Sequence, residues 1–426
     1  MSKVVVIGGG WAGCAAALSA VKAGAEVVLI ERTDMLLGTG LVGGIMRNNG
    51  RFTATEEMIA MGGGDLFKIA DSVSRHKNIE FPGHKHVSLY DVAKIEPAIR
   101  RHLLDAGVKI LFETRAKDVE MEGKKIKAIK TANGKMITAD IFVEATGTAG
   151  PMGNCSKYGN GCAMCIYRCP SYGPRISIAE KAGVKEMMAK KSDGSVGAMS
   201  GSCKLHKESL SEELVEKLNK TGVAIVPIPK ELQKAESLSQ KACQQYALKE
   251  FAENIILLDT GHAKLMSPFY PLEKLRQIPG FENARFEDPY AGNIGNSMRY
   301  FSISPRNNYL ETEGVENLFC AGEKAGPLVG HTEAIVTGTL AGHNAVRKAV
   351  GKELLELPKS LATGHAIAHV KEQMATPEGI ARKYTFSGSV YFEVMRENDL
   401  YTTNIDEIKD RVESANMTDI FEQKLV

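Results

Sequence analysis

The chain opens on an unbroken apolar run, Val4-Val5-Val6-Ile7, that meets Gly8-Gly9-Gly10 and continues into an alanine-rich stretch to about Ala23. Gly24 then interrupts, and a second apolar run over residues 26–30 ends on Glu31. Short apolar runs bounded by glycine read as buried strands, so the pattern predicts strand, glycine turn, helix, strand. Residues 108–112 and 116–120 alternate as further strands. Residues 127–131 and 136–139 form a predicted hairpin around Asn133-Gly134. That hairpin leads into the apolar strand Ile141-Phe142-Val143-Glu144.

In the second half, residues 210–219 read as a helix started by Ser209 or Ser211 and stopped near Gly222, and 223–228 as a strand ended by Pro229. Residues 237–251 read as a helix, 255–258 as a strand, and the segment after Gly330 as a long helix to about Val350. Beyond Pro358 polar helix and short strand signals alternate, with 389–394 the best strand. No repeat, heptad or low-complexity segment interrupts this order.

Length and charge narrow the class. With 426 residues and 43% hydrophobic content the chain can build two or three cores. Its 53 Lys+Arg against 51 Asp+Glu leave +2, which gives no support for a dominant nucleic-acid or membrane field. The most apolar stretch, residues 4–30, is broken by five glycines, Lys22 and Glu26, and is neither a signal peptide nor a membrane span. The expectation is a soluble, cytoplasmic protein. In such a compartment its 8 cysteines are core residues, metal ligands or redox groups sooner than a disulfide framework.

The opening unit carries chemistry. Gly8, Gly10 and Gly13 form G-x-G-x-x-G: Gly8 for the tight turn, Gly10 so that backbone approaches a pyrophosphate, Gly13 for close helix-to-strand packing. Trp11 and Ala12 begin the helix whose free N–H groups and dipole favour phosphate. Glu31, followed by Arg32, stands 23 residues after Gly8 (31 − 8), placed to accept ribose hydroxyls.

Two further segments decide between NAD and FAD. The strand ending in Ala145-Thr146-Gly147 resembles the second fingerprint of two-dinucleotide-fold flavoproteins, with Ala116 opening the excursion before it. Asn317-Leu318-Phe319-Cys320-Ala321-Gly322-Glu323 resembles their third, in which the acid holds the ribityl chain. The helix opened by Gly330-His331-Thr332 would turn its positive end to the flavin edge where charge accumulates on reduction. NAD alone leaves both segments unexplained, and FAD accounts for them.

The opening residues 8–31 and the segment 317–353 are similar to the GidA-type flavoproteins and to the folate/FAD-dependent uracil methyltransferases. The stretch Thr39-Gly40-Leu41-Val42-Gly43-Gly44-Ile45 resembles the wider FAD-dependent oxidoreductase family, and the loop from Gly38 to Gly44 is expected to line the FAD. The resemblance covers residues 1–50, 90–150 and 280–352. It implies an α/β Rossmann-type (GR2-like) FAD-binding domain, discontinuous over 1–150 and 310–352. An inserted α+β substrate domain would occupy 151–309, with a C-terminal extension over 353–426. RNA-modifying members carry a cysteine in the loop after the second strand, whereas residues 33–71 here contain none. The cluster Lys181, Lys185, Lys190 and Lys191 is interspersed with Glu180 and Glu186, the pattern of a solvated helix face.

The insert begins with Cys155, Cys162, Cys165 and Cys169, spaced C-x6-C-x2-C-x3-C-P. The last three resemble a ferredoxin-type run, which favours a [4Fe-4S] cluster; redox-active thiols, zinc and inert packing are the alternatives. Cys203 is a candidate fifth thiol. Cys14, Cys243 and Cys320 read as core.

His331 is the preferred acid or base, with His262, Tyr290, Arg299 and Arg306 the other polar residues expected near a substrate. The reading is an FAD-dependent oxidoreductase, with the cysteine cluster relaying electrons to a small-molecule or protein partner. A homo-oligomer is left open, and nucleic acid and membrane are disfavoured as partners. The alternatives are a GidA-like RNA uracil-modifying enzyme and a non-catalytic flavin/Fe-S electron-transfer subunit.

Overall fold

The computed structural model describes residues 2–147, 172–190, 198–199, 203–233, 244–266, 271–287, 298–299 and 302–426. Its centre is the predicted opening unit: β1 (Lys3–Ile7), α1 (Trp11–Lys22) and β2 (Glu26–Ile30). The chain then forms α2 (Gly50–Ala60), β3 (Lys109–Leu111), β4 (Ile141–Glu144), β5 (Leu318–Cys320) and α3 (His331–Ala349). The five strands make one parallel sheet in the order β5-β4-β1-β2-β3. Read from the other edge this is the order 3-2-1-4-5 of a dinucleotide fold, with ligands at the carboxyl ends of the strands.

The alternation along β1 and β2 decides what covers each face. Val4, Val6, Val27 and Leu29 pack with α1 and α3 in the main core. Val5, Ile7, Val28 and Ile30 pack with Ile126, Ile129 and Phe142 on the opposite face. There the antiparallel strands Ala116–Glu122, Lys125–Thr131 and Met136–Thr138 form the cover. With both faces covered, the strands carry apolar residues throughout rather than alternating with polar ones.

Small residues set the spacing between α1 and α3. A Cβ on Gly338 would lie 2.2 Å from the Ala12 carbonyl oxygen, and one on Gly342 would lie 2.1 Å from that of Ala16. Successive turns of α3 therefore press directly on successive turns of α1, locking the helix behind the glycine turn to the helix that follows β5.

A second, antiparallel sheet runs Cys203–Leu205, Ala263–Leu265, Asn254–Asp259, Val223–Pro227. Ile255 and Leu257 face its own core with Leu205, Leu218 and Phe281. Ile256 and Leu258 face the other way, onto Ile45, Phe81, Val87 and Leu89. Those residues belong to a three-stranded sheet of Ile45–Met46, His84–Tyr90 and Ser74–Phe81. The helix Glu212–Thr221 starts after Ser211 and ends at Gly222 (φ +79°), as the sequence signals indicate.

Two local expectations are corrected. Residues 389–394 are helical, within Ser389–Glu397. Tyr391 and Met395, one turn apart, share the buried side, and Gly388 and Ser389 turn the chain into the helix, so tertiary burial overrides β propensity. In place of one long helix over 237–251, the described part contains a 3-10 turn Gln244–Tyr246 and a short helix Lys249–Glu253, while 234–243 lie outside the described residues. The C-terminal helices Ala362–Gln373, Ser389–Glu397 and Ile405–Ser414 contribute Ala366, Tyr391 and Val412 to the same core as α1. Among the described residues no helix is long and apolar enough to cross a membrane.

Candidate cofactor site

The glycine turn divides its labour as its spacing suggests. Gly8 sits at φ +100°, and a Cβ there would come 2.5 Å from the Ala145 carbonyl oxygen at the end of β4. A Cβ on Gly13 would lie 1.7 Å from the Gly8 carbonyl oxygen. Gly10 differs: a Cβ there would meet nothing within 4 Å. The first and last glycines are demanded by protein packing, and Gly10 borders open space at the N-terminus of α1, where unsatisfied N–H groups favour an anion.

Glu31 braces this turn. One carboxylate oxygen accepts the Gly9 N–H at 2.7 Å, and the other accepts the Thr33 N–H at 2.8 Å and hydroxyl at 2.9 Å. The acid at the end of β2 thus shapes the loop as well as facing the pocket. Around it lies a cleft lined by Gly8, Arg32, Gly38, Ala116 and Thr146. Arg115 and Arg175, which sequence reasoning missed, line the same cleft. Arg32 donates to the Gly173 carbonyl, which ties the chain at 173–176 to the rim.

A second cleft continues from the first, sharing Gly10, Thr39, Ala145, Gly147 and Glu323 with it. Its walls bring together Trp11, Ala12, Gly43, Gly322 and His331 from the expected set. His331, the first residue of α3, packs its ring on Gly43 and lies between Trp11 and Tyr90, with ring centroids at 6.0 and 6.1 Å. The Tyr90 hydroxyl donates to the Gly40 carbonyl at 2.6 Å and lies 3.4 Å from His331 Nδ1. Burial pushes the Tyr90 phenol well above its usual range.

Arg51, Gln245, Tyr246 and Lys264 complete this second cleft and were not identified in the sequence. Arg51 is buried against Glu333, Nε to Oε1 at 3.1 Å, and also donates to Asn48, Val329 and Thr385. Behind Gln245 stands His84, buried between Phe81 and Tyr246 with ring centroids 4.7 and 4.8 Å away. Its Nε2 donates to the Gln245 carbonyl at 3.2 Å and its Nδ1 accepts from Asn48 at 3.0 Å, fixing the neutral ring. Burial, with the Arg51 charge adding to it, lowers the His84 pKa to about 3 against the bond to the Gln245 carbonyl.

Several expected residues do not line either cleft. Gly13 and Gly40 are steric: a Cβ on Gly40 would lie 2.4 Å from Trp11 Nε1. Thr332 is wholly buried in α3. Arg306 is corrected from a substrate contact to a buried tie, donating to the carbonyls of Ala325, Asn307 and Ile367, with burial lowering its pKa to about 10. His262 lies away from the clefts, 3.1 Å from Glu287. Tyr290 and the side chain of Arg299 lie outside the described residues.

Cys14 and Cys320 are free and buried, and burial raises both thiols, that of Cys320 to about 11, which suits core residues. Cys155, Cys162, Cys165, Cys169 and Cys243, and the side chain of Cys203, fall outside the described residues. Among the described residues no group of three or more His, Cys, Asp or Glu is placed to hold a metal.

The donor set fits FAD. A long continuous cleft begins beside the acid closing β2, passes the open N-terminus of α1, and ends beside the N-terminus of α3. At the junction Gly10 leaves open space beside the N-terminus of α1, since a Cβ there would meet nothing within 4 Å. Fold and site together define a flavoprotein of the two-dinucleotide-fold class.

The chain belongs to the GidA family: the family described as glucose inhibited division protein A matches residues 3–267 and 266–353. A tRNA uridine 5-carboxymethylaminomethyl modification enzyme, MnmG, of Chlorobaculum tepidum is 42% identical over 90 residues, 21% of this chain and 14% of the relative. A methylenetetrahydrofolate–tRNA-(uracil-5-)-methyltransferase, TrmFO, of Desulfotalea psychrophila is 32% identical over 108 residues, 25% of this chain and 24% of the relative. These curated relatives are matched over less than a quarter of their own length. Among solved structures, GidA of Aquifex aeolicus superposes with a TM-score of 0.67 at 17% identity, covering 97% of this chain and 76% of that one, and so shares the fold.

Proposed function

We propose that the protein is an FAD-dependent oxidoreductase acting on a small molecule that enters the second cleft. The observation that carries this reading is the continuity of the two clefts through Gly10, Thr39, Ala145, Gly147 and Glu323. The first suits an adenosine and pyrophosphate, and the second leaves room beside His331 and Lys264 for a ring system and a reactant. FAD, when bound, supplies one- or two-electron exchange. The chain's own residues do the rest. Gly10 and the start of α1 take the phosphates, Glu31 the ribose and Glu323 the ribityl hydroxyls. Gln245 and Tyr246 cover the cleft against water, and His331 Nδ1, beside the Tyr90 hydroxyl, is the site that can take up or release a proton.

RNA modification is the second reading, favoured by family membership and by the tRNA-modifying activities named for the relatives. The matched stretches of those relatives are short, and the near-neutral charge of this chain argues for the small-molecule reading. Reduction of the purified protein's flavin by a small-molecule donor, without RNA, supports the first reading. Salt-sensitive tRNA binding combined with turnover only on RNA replaces it with the second.

An iron–sulfur cluster on Cys155, Cys162, Cys165 and Cys169 is the proposed electron relay. It is supported by the C-x2-C-x3-C-P spacing and by the flanking residues: Gly147 before this stretch and Pro174, Arg175 and Ile176 after it all line the first cleft. Anaerobic protein should carry iron and sulfide and a broad visible shoulder that Cys162→Ser or Cys165→Ser removes without loss of FAD. Yellow protein free of iron under the same conditions rejects the relay.

A further inference from the structure

Gln245 belongs to the 3-10 turn Gln244–Tyr246 and lines the second cleft while only 7% exposed. Its backbone is held from two sides. The carbonyl accepts from His84 Nε2 at 3.2 Å. On the other side lies the bare backbone of Gly388, where a Cβ would come 2.4 Å from the Gln245 Cβ. His84 opens the strand His84–Tyr90 and Gly388 leads into the helix Ser389–Glu397, so two distant segments fix this one residue. The side-chain amide differs from the backbone. Among the described residues it makes no hydrogen bond, yet its atoms are not sealed off in the interior. The wall around it includes Ile45, Met266 and Ala334, which offer no polar side-chain partner of comparable strength. A single amide on a rigid turn in an apolar wall is the arrangement that orients a small ligand.

We propose that the Gln245 amide is the recognition group of the reactant pocket, and that the reactant presents an uncharged amide to it. The inference rests on the FAD-dependent, small-molecule reading of this cleft. The side chain offers an acceptor oxygen and N–H donors side by side. An amide presents the complementary pair in one plane, so the two groups join by two parallel bonds, whichever way round the Gln245 amide lies. A ketone leaves the Gln245 oxygen without a donor, and an ionised acid sets a second oxygen against it. Leaving a buried polar group unpaired is costly, so a site built around an amide rejects an isostere that cannot complete the pair.

Benzamide and acetophenone are the probes: they are alike in size and shape and both accept, but only benzamide donates. Their dissociation constants are read from the change in flavin absorbance of the FAD-loaded wild type, Gln245→Leu and Gln245→Met. The wild type is expected to bind benzamide about tenfold or more tighter than acetophenone. Both variants are expected to lose that order or reverse it, since water holds the amide more strongly than the ketone. Equal affinities in the wild type, or a preference for benzamide that survives in the variants, overturns the proposal. A yellow wild type that binds neither probe overturns the amide reactant and leaves the FAD reading in place. Variants that lose FAD while their apo forms melt like the wild type's assign the amide to the flavin, which also overturns the proposal. A wild type that takes up no FAD overturns the FAD reading itself, and the proposal with it.

Discussion

The His331 imidazole occupies the space that a side chain on Gly43 would fill: a Cβ at Gly43 would lie 1.7 Å from its Cε1. The glycine loop after β2 and the N-terminus of α3 therefore meet by direct apposition of a ring on a bare backbone. Gly43→Ala must displace the ring, and with it the contacts to Trp11 and Tyr90. A shift costing about 1–3 kcal/mol corresponds to roughly a five- to 150-fold loss of FAD affinity. Flavin absorbance after gel filtration and a fluorescence titration check it; unchanged affinity would show that the His331 ring position is immaterial to the cofactor.

The turn glycines make a sharper test because their surroundings differ. Gly10→Ala meets no protein atom within 4 Å, so the apo protein should keep its thermal midpoint while FAD binding weakens. Gly13→Ala would drive a Cβ into the Gly8 carbonyl oxygen at 1.7 Å and should destabilise the apo protein by about 1–3 kcal/mol or prevent folding. Melting curves with and without FAD separate the two effects. A Gly10→Ala protein that binds FAD like the wild type would remove the pyrophosphate from this position.

These contrasts show what was legible in the sequence. β1, β2, β4 and β5 of the parallel sheet, with α1 and α3, follow from apolar runs and glycine punctuation, since a strand buried on both faces leaves a continuous signature, while the exposed edge strand β3 showed only as alternation. The spacing of Gly8, Gly10 and Gly13 even anticipated which glycine faces open space. The rest of the cleft wall was invisible for a physical reason. Arg51, Gln245 and Lys264 reach it from three separate segments, and no local periodicity announces a residue whose role depends on a long-range fold. Arg306 shows the converse error, a cation in a polar loop that the fold buries among carbonyls. The helix over Ser389–Glu397 was hidden because its valine, tyrosine and phenylalanine favour a strand until Tyr391 and Met395 find the core.

The Arg51–Glu333 pair ties three distant parts of the chain. Arg51 lies in α2 and Glu333 in α3, and the Glu333 carboxylate also accepts the Phe386 N–H at 2.9 Å and the Thr385 hydroxyl at 2.6 Å. Both side chains are buried, so losing one strands the other: Arg51→Met or Glu333→Gln should each cost about 3–5 kcal/mol, and the double substitution clearly less than their sum. Urea denaturation of the four proteins gives the coupling. Additive costs would mean that the pair contributes no mutual stabilisation and that the C-terminal segment is held by its apolar contacts.

Acid sensitivity follows from two buried histidines. His84 and His343 both titrate near pH 3 in the folded protein, below their ordinary 6.5. For His343 burial is the main cause, with the Arg347 and Lys352 charges adding to it. Above pH 6.5 both rings are neutral folded or unfolded, and they add no pH dependence. As pH falls from about 6.5 toward 3, the unfolded chain takes up protons that the folded chain refuses, so stability falls with pH in that window. His343 is the cleaner probe because it lies outside both clefts, packs edge-on against Phe421 at 5.4 Å, and has no hydrogen-bond partner on either ring nitrogen among the described residues. His343→Leu removes two buried polar atoms left without partners, and so should match or exceed wild-type stability at pH 5. The slope of unfolding free energy against pH counts protons taken up on unfolding, and between pH 4 and 6 it should drop by about one proton in the variant. Urea titrations at half-unit pH steps measure that slope, and one equal to the wild type's would mean that His343 accepts its proton in the folded protein after all.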